Sequence, residues 1–418
     1  MPILINLSPN AKLADLKLAF KLLLAPHKWL KGEGLDQLNQ TFKNYFQADL
    51  ALGFKSGRAA LWMALKALGL KPGDEILLQA FTCVVVPNAI RFNGARPVFV
   101  DTQPNSFNIS LTDLKKKISF KTRAIIVQHI FGYPDNLKAI KQLCRQYKLV
   151  LIEDCAQSLG AEYQGQKVGT WGDMAFFSFG RDKMISSVSG GLLLVNRPEF
   201  SSRVKHFYQV FKPASPWFVF KNLCHPLIFV LVKPLYFTCQ WKKFSLGKAI
   251  LFIFQCLHLV DKPVQLIELQ GKQPKNQLQK LPNAMALMAQ QQFDQLKWNL
   301  CQRRAIADLY LKELSALAVK PQPEQRPAYL RLPLLVSQPA KLLQLAKKQQ
   351  VILGDWYQYL IAPRGVDLTR LGYHSGNCLH AEKLAVQVVN LPTYPKLSWT
   401  QVKKIINIVK QYAHQYEK

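Results

Sequence analysis

Between residues 57 and 195, short apolar runs alternate with stretches whose apolar residues recur at helical spacing. "GRAALWMALKAL" has the helical pattern, and Gly73–Asp74 then turns the chain into the apolar run "EILLQAF". "RPVFVD", "TRAIIVQHIFGY", the helical "NLKAIKQLCRQY" and "KLVLIEDCAQ" follow, and "MAFFSF" and "GGLLLVN" read as two further buried strands. Short apolar strands separated by helices of this length predict α/β units around a central, mostly parallel sheet. No internal repeat is evident. In such sheets ligands bind beyond the carboxyl ends of the strands. Three positions fall there: Ser56–Gly57 before a helix, Asp154 after "LVLIE", and Ser178–Lys183 after "MAFF".

Composition adds scale and charge. A chain of 418 residues, 49% hydrophobic, can bury a sizeable core and is expected to form two domains. The net charge of +30 points to an anionic partner: nucleic acid, anionic lipid or a phosphorylated substrate. No RNA- or DNA-binding motif stands out, so nucleic acid is not the expected partner. The 8 cysteines show no CxxC pair and no metal-ligand spacing, so free thiols in a reducing cytoplasm are expected, and no metal. "MPILINLSPNAKLADLK" has neither a basic leader nor a cleavage signature, which argues against secretion.

Each candidate position has a plain reading. Ser56 in "KSGRAAL" can simply cap the helix that follows. Asp154 can cap the next helix, and Lys183 can be a solvated cation. The chemical readings are different. Gly57 lets a phosphate approach free backbone N–H groups at a helix start, and Arg58 adds charge. Asp154 offers a buried acceptor for a cationic ring nitrogen. Lys183, between two buried strands, can be desolvated into a nucleophile. The order is more specific than any one part: phosphate seat, strand-end aspartate, then a lysine about thirty residues later. A pyridoxal phosphate enzyme needs these parts: a lysine to hold the cofactor, a carboxylate to keep its ring nitrogen protonated, and a helix terminus for its phosphate.

The sequence resembles the fold-type-I aminotransferases of the DegT/DnrJ/StrS type, which act on nucleotide-linked keto-sugars. The resemblance runs from about residue 34 to 198 and again from about 283 to 412. It is carried by "FKSGRAALWMALKALGLKPGDEILLQAFT", "NAIRFNGARPVFVDTQPNSFNIS", "AIIVQHIFGYPDNLKAI", "LIEDCAQSLGAEYQGQKVGTWGDMAFFSF" and "NCLHAEKLAVQVVNLPTYPKLS" in that order. It implies a large α/β cofactor domain at 34–289 and a smaller C-terminal α+β domain at 290–418, after a basic amphipathic segment at 1–33. It also implies a homodimer, glutamate as amino donor, and a nucleotide-linked keto-sugar destined for a cell-surface glycan. By the same resemblance Lys183 carries the cofactor and the catalytic proton, and Asp154 pairs with the ring nitrogen. Gln157 lies near the ring's phenolic oxygen, and Ser178 holds the phosphate together with Gly57 and Arg58. The family's dehydrating branch has histidine in place of the lysine, so Lys183 favours transamination.

The chain also departs from that family. Arg58 stands where a small hydroxyl residue is usual, and Cys83 stands where an aromatic often stacks on the cofactor; Phe81 is the nearby substitute. "VSGG" replaces "GEGG", putting Ser189 in place of a carboxylate. "LQKLPN" replaces the "GYNxRM" segment that commonly reaches the neighbouring subunit, leaving Asn283 as a residue for partner contacts. Residues 211–264 have no counterpart in compact members. They carry lysines at 212, 221, 233, 242, 243, 248 and 262, a single acid, Asp261, and charge-free runs of about a dozen residues. Such runs are too short to span a bilayer. The segment reads either as a lid packed on the protein or as an interfacial hairpin on the inner face of the cytoplasmic membrane, aided by the basic residues 12–31. Three alternatives to the main reading stand at this point: a lipid-linked acceptor, another pyridoxal reaction such as dehydration, and a non-catalytic membrane-surface regulator.

Overall fold

The computed structural model describes residues 2–5, 10–238, 245–262 and 264–417. Lys242 and Lys243 lie outside the described residues. The seven strands of the central sheet are β1 (Leu50–Phe54), β2 (Glu75–Gln79), β3 (Arg96–Val100), β4 (Thr122–Gln128), β5 (Val150–Asp154), β6 (Met174–Ser178) and β7 (Gly191–Val195). Their spatial order is β1-β7-β6-β5-β4-β2-β3. β2 to β6 run parallel, while β7 is antiparallel to both of its neighbours, β1 and β6. The fold is therefore α/β with a mostly parallel sheet, as the alternation of runs predicts.

The strands read as continuous apolar runs because both faces of the sheet are covered. Successive side chains point to opposite faces. Ile126, Ile152, Phe176 and Leu193 enter one core with Ala60 and Met63 of the helix Gly57–Ala67. Ile125, Val127, Leu151, Ala175 and Leu192 enter the other with Phe42, Met285 and Ala289. Register then aligns the ends of the strands. Gln128 lies opposite Asp154, Asp154 opposite Phe176, and Ser178 opposite Gly191. The chemically interesting side chains thus share one edge of the sheet.

The C-terminal part is built on the antiparallel pair Arg331–Leu335 and Val388–Pro392, with helices Pro339–Lys348 and Trp399–Tyr416. Ile3–Leu4 adds a parallel pairing to Val351–Ile352. Ile361–Ala362 pairs parallel with Thr82–Cys83, which carries the segment from Gly354 onward across to the mouth of the large sheet.

Two helices, Pro216–Leu235 and Leu246–Cys256, lie in the stretch that has no counterpart in compact members. Ser215 caps the first by accepting from Phe218 N at 3.2 Å. Ile228, Phe229, Val232 and Val260 make a small core between them. The first helix also packs on Leu13–Leu23 near the N-terminus. Its length differs from the sequence expectation: among the described residues it is the one helix long and apolar enough, by length and composition, to cross a membrane. It reaches that length by carrying Lys221 and Lys233 within it, so charge-free runs understate it. Half of that stretch is buried within the protein. Outside the buried face, Phe252, Ile253, Leu257, Leu231 and Trp217 are all more than half exposed (65%, 55%, 57%, 62% and 51%).

Candidate active site

Lys183 ends a tight turn after β6, its N–H donating to Gly180 O at 3.1 Å. Its backbone is fixed from two other elements. Asn10 Nδ2 donates to Lys183 O, and Asn299 Nδ2 donates to Met184 O at 2.9 Å. The ammonium lies 5.1 Å from the centre of the Trp356 ring. Trp356 is held in turn by the Arg331 guanidinium, 3.8 Å from the ring centre. Arg331, fully buried, pairs with Asp182 at 2.9 Å, immediately before the lysine.

Asp154 is buried at the end of β5. One carboxylate oxygen accepts from Gln128 Nε2 at 2.9 Å and the other from Ala156 N at 3.0 Å. Burial raises its pKa. The Ala156 and Gln128 hydrogen bonds and the charges of Lys183 and His129 oppose that rise. No cation touches it directly among the described residues, so its charge is held by neutral donors. Gln157, just beyond, accepts from Phe131 N at 2.8 Å and donates to the Tyr357 hydroxyl at 3.0 Å.

A glycine cradle lies beside the lysine turn. Ser56 caps the helix Gly57–Ala67 by accepting from Ala59 N at 3.3 Å. Plain capping and an exposed anion seat are therefore compatible, since one side chain satisfies only one of the free N–H groups. A Cβ on Gly57 would stand 3.1 Å from Ser178 Cβ, and one on Gly191 only 2.3 Å from Gly57 N. Both glycines are needed for the backbone of β7, the helix start and Ser178 to close up. Ser178 Oγ accepts from Gly180 N at 3.4 Å.

Arg58 follows Gly57 in the first turn of the same helix. Its guanidinium grips the carboxylate of Glu268, a buried side chain from the short helix Leu266–Leu269. Cys83 lies near Lys183 and Arg58; burial raises its thiol pKa, and these two charges act in the opposite sense. Phe81 is packed away among Phe107, Phe131 and Tyr357. Asn283 accepts from Gly34 N at 2.8 Å and donates to Lys28 O at 2.6 Å. Ser189 donates to Lys55 O at 2.9 Å, holding the loop that leads into β7.

Behind the site, His129, Glu153 and Cys155 bring three possible ligand atoms close together. The histidine and glutamate atoms already have protein partners. His129 Nδ1 accepts from Asp135 N at 3.1 Å, and Nε2 faces Glu153 at 3.1 Å. Glu153 accepts from the N–H groups of Gly169, Trp171 and Gly172. The cluster ties β5 to the 169–172 loop.

Structure therefore brings Gly57, Arg58, Cys83, Asp154, Gln157, Ser178 and Lys183 to one edge of the sheet. It adds Gln128, Asp182, Arg331, Trp356 and Tyr357, none of which the sequence reading singled out. The residues fit pyridoxal phosphate. Among the described residues, the buried carboxylate has no direct cation and Gln128 Oε1 is buried without a hydrogen-bond partner, and a glycine cradle opens at a helix start. Asp154 would hold the ring nitrogen, Gly57 and Ser178 the phosphate, and Lys183 the aldehyde carbon.

A sheet of this order, with a lysine, an aspartate and a helix start at one edge, has the fold-type-I aminotransferase architecture. The chain belongs to the DegT/DnrJ/EryC1/StrS aminotransferase family, whose model matches residues 14–212 and 275–410. It is similar to GDP-perosamine synthase of Escherichia coli O157:H7, 36% identical over 177 residues, 42% of this chain and 49% of that protein. It is also similar to dTDP-4-dehydro-2,3,6-trideoxy-D-glucose 4-aminotransferase of Saccharopolyspora spinosa, 35% identical over 178 residues, 41% of this chain and 46% of that protein. These matches span about half the length of those relatives. The fold matches the aminotransferase from Psychrobacter cryohalolentis with a TM-score of 0.76 at 18% identity, covering 98% of this chain and 99% of that one.

Proposed function

We propose that this protein is a pyridoxal phosphate-dependent aminotransferase that moves an amino group, from glutamate, to the ketone of a diphosphate-activated sugar. The two relatives' names, one with a GDP-linked and one with a dTDP-linked sugar, support a nucleotide-linked sugar as the substrate class; a cell-surface glycan is the destination in this reading. The observation that carries the reading is that Lys183, buried Asp154 and the Gly57–Ser178 glycine cradle share the carboxyl-end edge of the sheet at β5 and β6. When bound, the cofactor supplies an electron sink for the carbon that gains or loses the amino group. The chain's own residues do the rest. Lys183 Nζ moves the proton at that carbon, and the face of Trp356 beside it limits where the amine can swing. Asp154 keeps a positive charge fixed at the far side of the site, and Gln128 and Ala156 keep Asp154 in place. Gln157 and Tyr357 close the site with a mutual hydrogen bond.

The working unit in this reading is a cytoplasmic homodimer, peripheral on the inner face of the membrane. Its membrane contact is the exposed apolar residues on and just after the helices Pro216–Leu235 and Leu246–Cys256, such as Leu231, Phe252 and Leu257, with the basic residues around them.

The test uses the purified protein with its cofactor. Glutamate should change the visible absorbance, and borohydride should bleach it and leave a stable cofactor adduct on Lys183, located by mass spectrometry. Lys183→Ala should abolish turnover. An adduct on a different lysine, or no spectral response to glutamate or any other amino donor, would overturn the reading.

A further inference from the structure

The family model stops at residue 212 and resumes at 275, so the chain between is what this protein adds. That added chain returns to the active site at two points. At one, buried Glu268 holds Arg58 and is locked by Gln265 N, which donates to it at 2.8 Å. At the other, Asp261 meets cations from both parts of the molecule. Lys221, on the apolar helix Pro216–Leu235, pairs with its carboxylate. Arg181, two residues before the reactive lysine, donates to its backbone oxygen at 2.5 Å. Lys55, just before the cofactor helix, feels the charges of Asp261, Lys221 and Arg58, and its ammonium sits 4.5 Å from the Phe218 ring centre. It also donates to Gln279 Oε1 at 2.6 Å and Asn276 O at 3.0 Å. Unlike Glu268, the Asp261 side chain is 52% exposed.

We propose that Lys55, Arg181 and Lys221 form a seat for a diphosphate, in which Asp261 stands where the anion binds. The assignment rests on the proposed aminotransferase reading and supplies the part of the acceptor which that reading leaves open. The seat is separate from the Gly57–Ser178 cradle, so cofactor phosphate and acceptor diphosphate have different cations. It is joined to the lysine turn through Arg181, two residues before Lys183. A cluster of cations around one half-exposed acid is favourable for a multiply charged group, because a diphosphate offers each cation a charged acceptor where Lys221 and Arg181 now share one carboxylate and one backbone oxygen. Burial and the neighbouring cations lower the Lys55 pKa to about 8, and an incoming anion would relieve that cost. The shared chemistry is a diphosphate ester. A nucleotide carries it in solution, and a polyprenyl lipid carries it at a membrane, where the exposed face of the Lys221 helix and its partner would meet the tail.

Binding to the full, cofactor-loaded protein is measured by calorimetry with UDP, and by co-sedimentation with undecaprenyl diphosphate in phosphatidylcholine vesicles, which carry no net charge of their own. Lys221→Gln should weaken the preferred probe by about tenfold or more, the loss expected for one hydrogen bond to a charged group. Asp261→Asn should do the reverse and tighten it, since it removes the competing acid; a purely structural role would not produce that sign. The visible absorbance and melting temperature report folding in each variant. If Lys221→Gln does not fold, the sign of the Asp261→Asn effect decides alone. Either probe showing the pattern supports the seat and identifies the carrier. Binding unmoved by both substitutions, weaker binding in Asp261→Asn, or no binding of either probe would overturn it. The glutamate half-reaction of the unaltered protein needs no acceptor, so it tests the aminotransferase reading separately.

Discussion

Asp154→Asn separates the fold from the chemistry. In the native protein both Asp154 oxygens accept, one from Gln128 Nε2 and one from Ala156 N. An asparagine can keep the Ala156 bond through its oxygen. Its amide then faces the Gln128 amide, two donors together. Gln128 can resolve this by turning over, since its own oxygen is buried without a hydrogen-bond partner and loses nothing by rotating. The expected structural cost is therefore small, about 1 kcal/mol or less. The pH sign runs the same way. Burial raises the Asp154 pKa, so in the cofactor-free protein its contribution is fully present below the ordinary carboxylate range and is lost as pH rises through the raised value. Asparagine has no such loss. Cofactor-free Asp154→Asn should melt no lower than the native protein at pH 7. The cofactor should reverse that ranking: added pyridoxal phosphate should raise the melting temperature of the native protein more, because a charge-assisted bond is roughly twice as strong as a neutral one. The rate should fall much further. Losing a fixed charge aimed at charge that develops during reaction costs about 100- to 1,000-fold. The assay is stopped-flow absorbance with glutamate, beside melting curves with and without cofactor. A half-reaction rate within twofold of the native one would refute the role given to Asp154.

The pH dependence of anion binding follows from Lys55, which faces Arg58, Lys221 and Asp261 and has its pKa lowered to about 8. Only the protonated amine attracts a diphosphate, so UDP affinity should fall as pH rises from about 7 to about 9. Lys55→Arg should flatten that fall, because a guanidinium stays charged; an unchanged profile in the variant would exclude Lys55 as the titrating group. Phe252 is exposed, so Phe252→Glu should change stability by no more than about 0.5 kcal/mol. It should nevertheless reduce co-sedimentation with anionic vesicles about tenfold, since it trades a ring at the interface for a charge of the wrong sign. Equal sedimentation of the two proteins would show that residues 216–256 do not contact the membrane.

The fold was legible because its signals are local. Strands buried on both faces leave continuous apolar runs such as "AIIV" and "GLLLV", and helices between them leave a different period. Residues at the ends of those runs, Gly57, Asp154, Ser178 and Lys183, are visible for the same reason: each sits at a boundary that the pattern marks. Arg331, Trp356 and Tyr357 carry no such mark. They reach the site only because Ile361–Ala362 pairs with Thr82–Cys83 and Arg331 finds Asp182, contacts between residues more than a hundred positions apart. Gln128 lies at a strand end too, but nothing local distinguishes it from any polar residue closing an apolar run.

The inserted segment shows the same limit from the other side. Its composition alone fixes that it is basic, apolar and poor in acids. It does not fix which apolar face is covered. Packing decided that, by laying Pro216–Leu235 against Leu13–Leu23 and leaving Phe252 and Leu257 in the open. Nor can composition tell that Asp261, near its end, and Glu268, just beyond it, have opposite fates. Glu268 is buried on Arg58 while Asp261 stays half exposed between Lys221 and Arg181. Sequence determines the period of a strand or helix and the charge of a segment, because these are sums over neighbours in the chain. Which charges meet depends on distance in space, and only the tertiary structure sets that.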